Sequence, residues 1–250
     1  MWEKVIKGRI TSNVVISSSM LFINKNFGVI MAFDIKTGKI CWKFRLEMSP
    51  LTWVSNTKLL QTSDYLVYIH ANKKIYVFTK NLGNRVKTSN IGYNFSANCD
   101  RNASILSSKV YNSIVYTLYS DGRFIIYDML RLSVILIRNN CNYKDFYVFK
   151  KQIIFLDKNN VFLAYDKNLN ELNWKTKSLD SNLESKMIFL PDKSLILFYN
   201  SSGAVVFLDT FGNILYMKNF MLKIKDVAYN NDTLLILFSH NENILFSVNK

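Results

Sequence analysis

The stretch "VIMAFDIKTGKICWKF", Val29 to Phe44, holds the tripeptide Thr37-Gly38-Lys39 and admits two readings. Either "TGK" ends a phosphate-cradling loop, or it is a hairpin turn between two strands. A phosphate loop needs Gly, four residues, then Gly-Lys-Ser/Thr running into a helix. Here no Gly stands five residues before Gly38, and Ile40 and a strand-like run follow Lys39. The tripeptide reads as a turn.

The flanking sequence supports this. Short runs rich in Ile, Val, Phe, Tyr and Leu alternate with Asn, Asp, Ser, Lys and Gly clusters, and no helical period is sustained. The runs form a repeat. Its six copies start at Met20, Tyr65, Ser113, Gln152, Ser194 and Leu234. In each, an apolar strand leads through a polar turn to a second strand. The second strand closes on Asp34, Thr79, Asp128, Asp166, Asp209 or Asn249, at spacings of 45, 49, 38, 43 and 40 residues. A further turn, with Gly38, Gly83 or Gly212, leads to another strand that carries Trp42, Trp174 or Tyr216. Another short run precedes each copy. Four strands in a period of about 42 residues predict a blade of a β-propeller.

The fold expected is therefore an all-β, six-bladed propeller occupying residues 1–250 as one domain. The last copy stops at "FSVNK" without an outermost strand, whereas the chain begins "MWEKVIKG". Set against "CWKFRL", this opening places Trp2 where Trp42 stands. Residues 1–7 are expected to complete the last blade, so that the propeller is closed by the N-terminal strand and two open edges disappear.

The residue types have clear roles. Asp before the turn can accept hydrogen bonds from the N–H groups that follow. Gly supplies the positive φ of a tight turn. Trp can dock between blades with its N–H on a carbonyl.

Composition narrows function. The chain of 250 residues is 49% hydrophobic and 20% charged, with only eight Gly and two Pro, which fits one large domain without a linker. Its net charge of +14 invites a nucleic-acid partner, but 25 Lys stand against 7 Arg, and only Lys73-Lys74 and Lys150-Lys151 are adjacent. Phosphate and base recognition favours the planar Arg fork, so no nucleic acid is expected. With 29 Asn, this usage looks like drift in an AT-rich genome. Cys41, Cys99 and Cys141 form no CxxC and are expected to be buried and unreactive. His70 and His240 fall in polar turns, where a lone imidazole is expected to be solvated. No catalytic, cofactor-binding or metal-ligating constellation is found, and no enzyme or cofactor is expected. The longest irregular segment, Thr88 to Ser104, joins blades two and three, and such a loop is either functional or decayed.

The run Gly28 to Phe44 resembles the PQQ-like propeller repeat, with Gly28, Ala32, Asp34, Thr37, Gly38, Lys39 and Trp42 in the places of its motif. The fourth copy keeps Ala164, Asp166 and Trp174, and the fifth keeps Asp209, Gly212 and an aromatic, Tyr216. Within that superfamily the quinone dehydrogenases have eight blades, calcium and often vicinal cysteines, which this chain lacks. The chain is more similar to shortened BamB-type outer-membrane assembly proteins. That resemblance implies a non-catalytic protein-interaction scaffold in the periplasm. Its partner would be the outer-membrane β-barrel assembly complex, with membrane association only through that partner. The N-terminal "MWEKVIKGRITSN" shows no apolar segment of signal-peptide length. A cytoplasmic, intracellular scaffold of unknown partner therefore stays open as an alternative, as does a quinone-dependent propeller enzyme.

Overall fold

The computed structural model describes residues 2–25, 28–46, 57–70, 74–90, 103–139, 141–179, 185–190, 192–230, 233–239 and 243–248. These residues contain no α-helix; their strands form six antiparallel sheets, each a simple meander. The chain divides into two compact units, residues 1–141 and 142–250.

The first unit holds three sheets. The first consists of Val15–Ile16 (β1), Met20–Lys25 (β2), Val29–Asp34 (β3) and Ile40–Arg45 (β4). The second runs Lys58–Gln61 (β5), Tyr65–Ile69 (β6), Lys74–Thr79 (β7) and Arg85–Asn90 (β8). The third runs Ile105–Tyr111 (β9), Ile114–Tyr119 (β10), Phe124–Asp128 (β11) and Ser133–Arg138 (β12). In the second unit the fourth sheet is Tyr143–Phe149 (β13), Gln152–Asp157 (β14), Phe162–Asp166 (β15) and Leu172–Lys175 (β16). The fifth is Ser185–Leu190 (β17), Leu195–Asn200 (β18), Ala204–Asp209 (β19) and Ile214–Asn219 (β20). The sixth has three strands, Ile224–Asn230 (β21), Thr233–Phe238 (β22) and Asn243–Ser247 (β23).

The second and third strands of most sheets are nearly continuous apolar runs because neighbours cover both of their faces. Along β6, Leu66 and Tyr68 join the cluster with Phe22, Ile30 and Ala32 of the first sheet. The intervening Val67 and Ile69 join Val115, Ile125 and Tyr127 of the third. In the second unit, Ile196 and Phe198 pack with Phe162 and Ala164, while Leu197 and Tyr199 pack with Leu234 and Ile236. The period of two thus sends alternate residues into two different cores.

The turns that follow the third strands of the first, fourth and fifth sheets are built as the sequence predicts. Asp34 Oδ1 accepts from the Thr37 hydroxyl and N–H, both at 2.7 Å. Asp166 Oδ1 accepts from the N–H groups of Asn170 and Glu171 at 2.6 and 3.0 Å, and Asp209 from those of Phe211 and Asn213 at 2.8 and 2.9 Å. The Thr37 hydroxyl, followed by its N–H, holds the Asp34 carboxyl below its ordinary pKa; for Asp166 the Glu171 N–H does so first. The "TGK" of the first sheet is a turn.

Glycine in that turn has a second role. Gly38, Gly83 and Gly212 adopt φ of +68°, +68° and +86°, and each lies under an indole from the segment that precedes its sheet. A Cβ on Gly38 would come within 2.5 Å of Trp2 Cδ2, and one on Gly212 within 2.6 Å of Trp174 Cε3; Gly83 is covered by Trp42 in the same way. Each indole N–H donates to the carbonyl just after the turn's first residue. Trp42 Nε1 reaches Lys80 O at 3.0 Å, Trp174 reaches Thr210 O at 3.0 Å, and Trp2 reaches Ile35 O at 2.6 Å. A register shift lies opposite Ala32/Phe33, Val77/Phe78, Ile126/Tyr127, Ala164/Tyr165 and Phe207/Leu208, one residue before the Trp position in each fourth strand. The bulge twists the strand and aims that side chain at the next sheet. In β8 the position holds Lys87, whose Nζ donates to Leu132 O at 3.1 Å, and Leu132 replaces the glycine.

Trp2 therefore occupies, on the first sheet, the place that Trp42 occupies on the second, as the alignment of the two segments predicts. Lys4 Nζ donates to Gly38 O at 3.1 Å, and Ile6 packs beside Phe33. Residues 2–9 form no strand in the structure. Tyr216, at the Trp place of the fifth sheet, remains 42% exposed.

Replacing a seat or its occupant should cost about the same. Gly83→Ala forces an unfavourable φ and displaces the indole, and Trp42→Ala empties the seat; each should destabilise by about 2–3 kcal/mol. Urea denaturation of the double variant should give much less than the sum. Additive losses would show that Trp42 and Gly83 act independently.

Candidate functional site

The turns just described and those between first and second strands share one end of each sheet. The opposite end carries the turns between second and third strands and the connections between sheets. These connections are uneven: β4 ends at Arg45 and β5 begins at Lys58, β8 ends at Asn90 and β9 begins at Ile105, whereas β12 ends at Arg138 and β13 begins at Tyr143. Of the loop expected from Thr88 to Ser104, Thr88–Asn90 belong to β8, and residues 91–102 lie outside the described residues.

Buried polar side chains concentrate at this end. Asn24, 1% exposed, donates through Nδ2 to Thr11 Oγ1 at 2.7 Å, to Thr57 Oγ1 at 3.3 Å and to Tyr68 OH at 3.4 Å. This braces the first sheet to the second. In the third sheet Arg123, 2% exposed, donates from Nε to Asp121 Oδ2 at 2.6 Å and lies 5.0 Å from the Tyr119 ring centroid. Burial pushes the Tyr119 phenol above its ordinary pKa. In the second unit Lys144 Nζ donates to Asn160 Oδ1 at 2.8 Å and to Ser185 Oγ at 3.2 Å. The Ser185 hydroxyl itself donates to Asn160 Oδ1 at 2.6 Å. Desolvation lowers the Lys144 pKa, opposed by nearby Asp157. With the serine proton directed to the amide, this trio is a brace between the fourth and fifth sheets.

His70 corrects an expectation. It is 1% exposed at the end of β6, with its ring 5.9 Å from that of Tyr68, rather than solvated in a turn. It follows β6 directly, and its N–H donates to Lys74 O at 2.9 Å, which extends the cover one residue beyond Ile69. His240 and Cys99 lie outside the described residues. Cys141 is buried as expected, but Cys41 is exposed, because it is the bulged residue of an outer strand. Among the described residues no three His, Cys, Asp or Glu side chains are placed to share a metal ion.

Charge is sorted by position. The fourth strands β4, β8, β12, β16 and β20 carry Lys43, Arg45, Arg85, Lys87, Arg138, Lys175 and Lys218 and no carboxylate. Many carboxylates sit instead in turns and bulges, bonded to backbone N–H groups, as Asp34, Asp128, Asp157, Asp166 and Asp209 show. Strands β7 and β8 border a groove of about 480 Å³ lined by Lys74, Tyr76, Arg85, Val86, Lys87 and Thr88. Composition alone spreads the cations along the chain; the strand register collects them.

No protein-family model matches the chain, and no curated protein matches it in sequence. Solved structures do. BamB from Moraxella catarrhalis aligns over 97% of this chain and 73% of its own, with a TM-score of 0.72 at 16% identity. The computationally designed Ika8 protein aligns over 95% of this chain and 70% of its own, with a TM-score of 0.73 at 12% identity. The fold is an all-β, BamB-like propeller with six blades, as the repeat predicts. At these identities the likeness concerns the fold alone.

The two described thiols should differ in reactivity. Burial raises the Cys141 thiol to about 11, leaving roughly one thiolate in a thousand at pH 8. In a Cys99→Ser background, a thiol reagent should label Cys41 at least tenfold faster than Cys141 until the protein is unfolded. Equal rates in the folded protein would contradict the burial of Cys141.

Proposed function

We propose that the chain is a non-catalytic protein-interaction scaffold of the BamB type that supports assembly of outer-membrane β-barrel proteins from the periplasm. The observation that carries this reading is the likeness to BamB over 97% of the chain, joined to the PQQ-like motif of Gly28 to Trp42. The uneven loops at one end of the sheets suit a scaffold, since partner-binding residues favour loops held by a rigid frame. Two of the buried polar groups fit the same reading, as bonds of Asn24 and Lys144 run between neighbouring sheets.

In this reading the whole chain is one propeller domain, and residues 1–7, of which 2–7 form no regular strand, take the place of the outermost strand of the last blade. Trp2 on Gly38 supports this, because a Trp at that seat belongs to the outer strand of the preceding blade. The sixth sheet has three strands and an open edge at β23, where Leu245 is 69% exposed.

Two measurements bear on these points. Cross-linking of the tagged protein in its native cells, followed by mass spectrometry, should recover the β-barrel assembly components. Recovery of cytosolic or ribosomal proteins in their place would overturn the role and the compartment together. Deletion of residues 1–7 should lower the Tm by about 5–10 °C, the effect of losing roughly 3 kcal/mol in a domain of this size. An unchanged Tm would refute closure by the N-terminal segment.

A further inference from the structure

A groove runs along β7 and β8. Lys74 pairs across the strands with Asn90, Tyr76 with Thr88 and Phe78 with Arg85, so one face of this ribbon presents Lys74, Tyr76, Thr88 and Arg85 together. The bulge at Val86 opens the outer strand beside them, and Val86 is 45% exposed. The Arg85 guanidinium lies 5.8 Å from the Phe44 ring centroid, which holds the fork at the wall of the groove. Lys87 borders it too, but pairs with Val77 on the other face of the ribbon and sends its ammonium to Leu132 O of the third sheet. Lys74 and Arg85 thus bring two cationic groups to the concavity, and none of its described lining residues is a carboxylate. β8 is also an outermost strand, and its far side pairs with no other strand of its sheet.

We infer that this groove is a docking site for an extended acidic segment of a protein partner. The inference rests on the scaffold reading and gives that scaffold's partner a chemistry. Charge complementarity selects the occupant: a planar guanidinium and an ammonium group in one groove match two successive carboxylates, with Arg85 able to take one in a bidentate manner. Tyr76 and Thr88 add neutral hydrogen-bonding groups between the charges. An extended chain suits the shape, because a ribbon edge offers backbone groups at strand spacing. A bilayer engages protruding apolar side chains, and among the described lining residues Val86 is the one exposed aliphatic side chain. A nucleic-acid duplex is far wider than a concavity of about 480 Å³.

Fluorescence anisotropy on the full chain tests this, with a labelled peptide of alternating Glu and Thr as the probe and a Lys-Thr peptide beside it. The acidic peptide should bind, the basic one should not, and the affinity should fall as salt rises. Lys74→Glu with Arg85→Glu should weaken binding by at least roughly tenfold. Lys175→Glu with Lys218→Glu makes the same change in net charge on the second unit and should leave binding within about twofold. Both variants are first checked for an unchanged Tm, and Lys74→Gln with Arg85→Gln replaces the first pair if it unfolds. Equal loss in both variants, no binding of the acidic peptide, or preference for anionic vesicles or an oligonucleotide would overturn the proposal. Recovery of β-barrel assembly components by the Lys74/Arg85 variant at the wild-type level would sink the groove and leave the scaffold role standing. Acidic-peptide binding without those components would do the reverse.

Discussion

An indole lying flat on a glycine is the contact on which the architecture turns. The glycine is required twice over, once for a backbone in the left-handed region and once because a Cβ would occupy the plane of the indole. The indole in turn satisfies the carbonyl that the turn exposes, so shape and hydrogen bonding are met by one side chain. A bulge one residue earlier supplies the twist that points it outward. Turn, bulge and Trp form one device, which joins the first sheet to the second and the fourth to the fifth.

Much of this was legible in the residues. The Asp, Gly and Trp spacing of the first repeat predicts the turn, its hydrogen bonds and the docked indole, and Trp2 could be aligned with Trp42 from six residues of similar pattern. Doublets of apolar runs located the strands because central strands are covered on both faces. What could not be read depends on the third dimension. The exposure of Cys41 follows from its position in a bulge, and a bulge leaves no mark in composition. The burial of His70 follows from how far a strand runs before its turn. The basic groove escaped because Lys74 and Arg85 are separated along the chain and meet only through strand pairing.

The sorting of charge has a simple origin. Asp is the residue that closes these turns, so the architecture consumes carboxylates at the ends of the sheets, where backbone N–H groups bind them. The outer strands close no turn and carry cations without carboxylates. A basic rim is therefore partly a by-product of how the sheets end, and the groove is distinguished from that rim by its concavity and its Tyr76.

Lys87 and Leu132 stand where other sheets have Trp and Gly, and the link between sheets survives in altered form. Each such link involves one sheet and its successor and no third party. Errors in this protein are consequently confined: a lineage that loses an indole at one position can lose the matching glycine there without disturbing the neighbouring joints. The molecule resembles a chain of couplings that wear out one at a time, and its repeats can drift apart in sequence at different rates while the backbone plan persists.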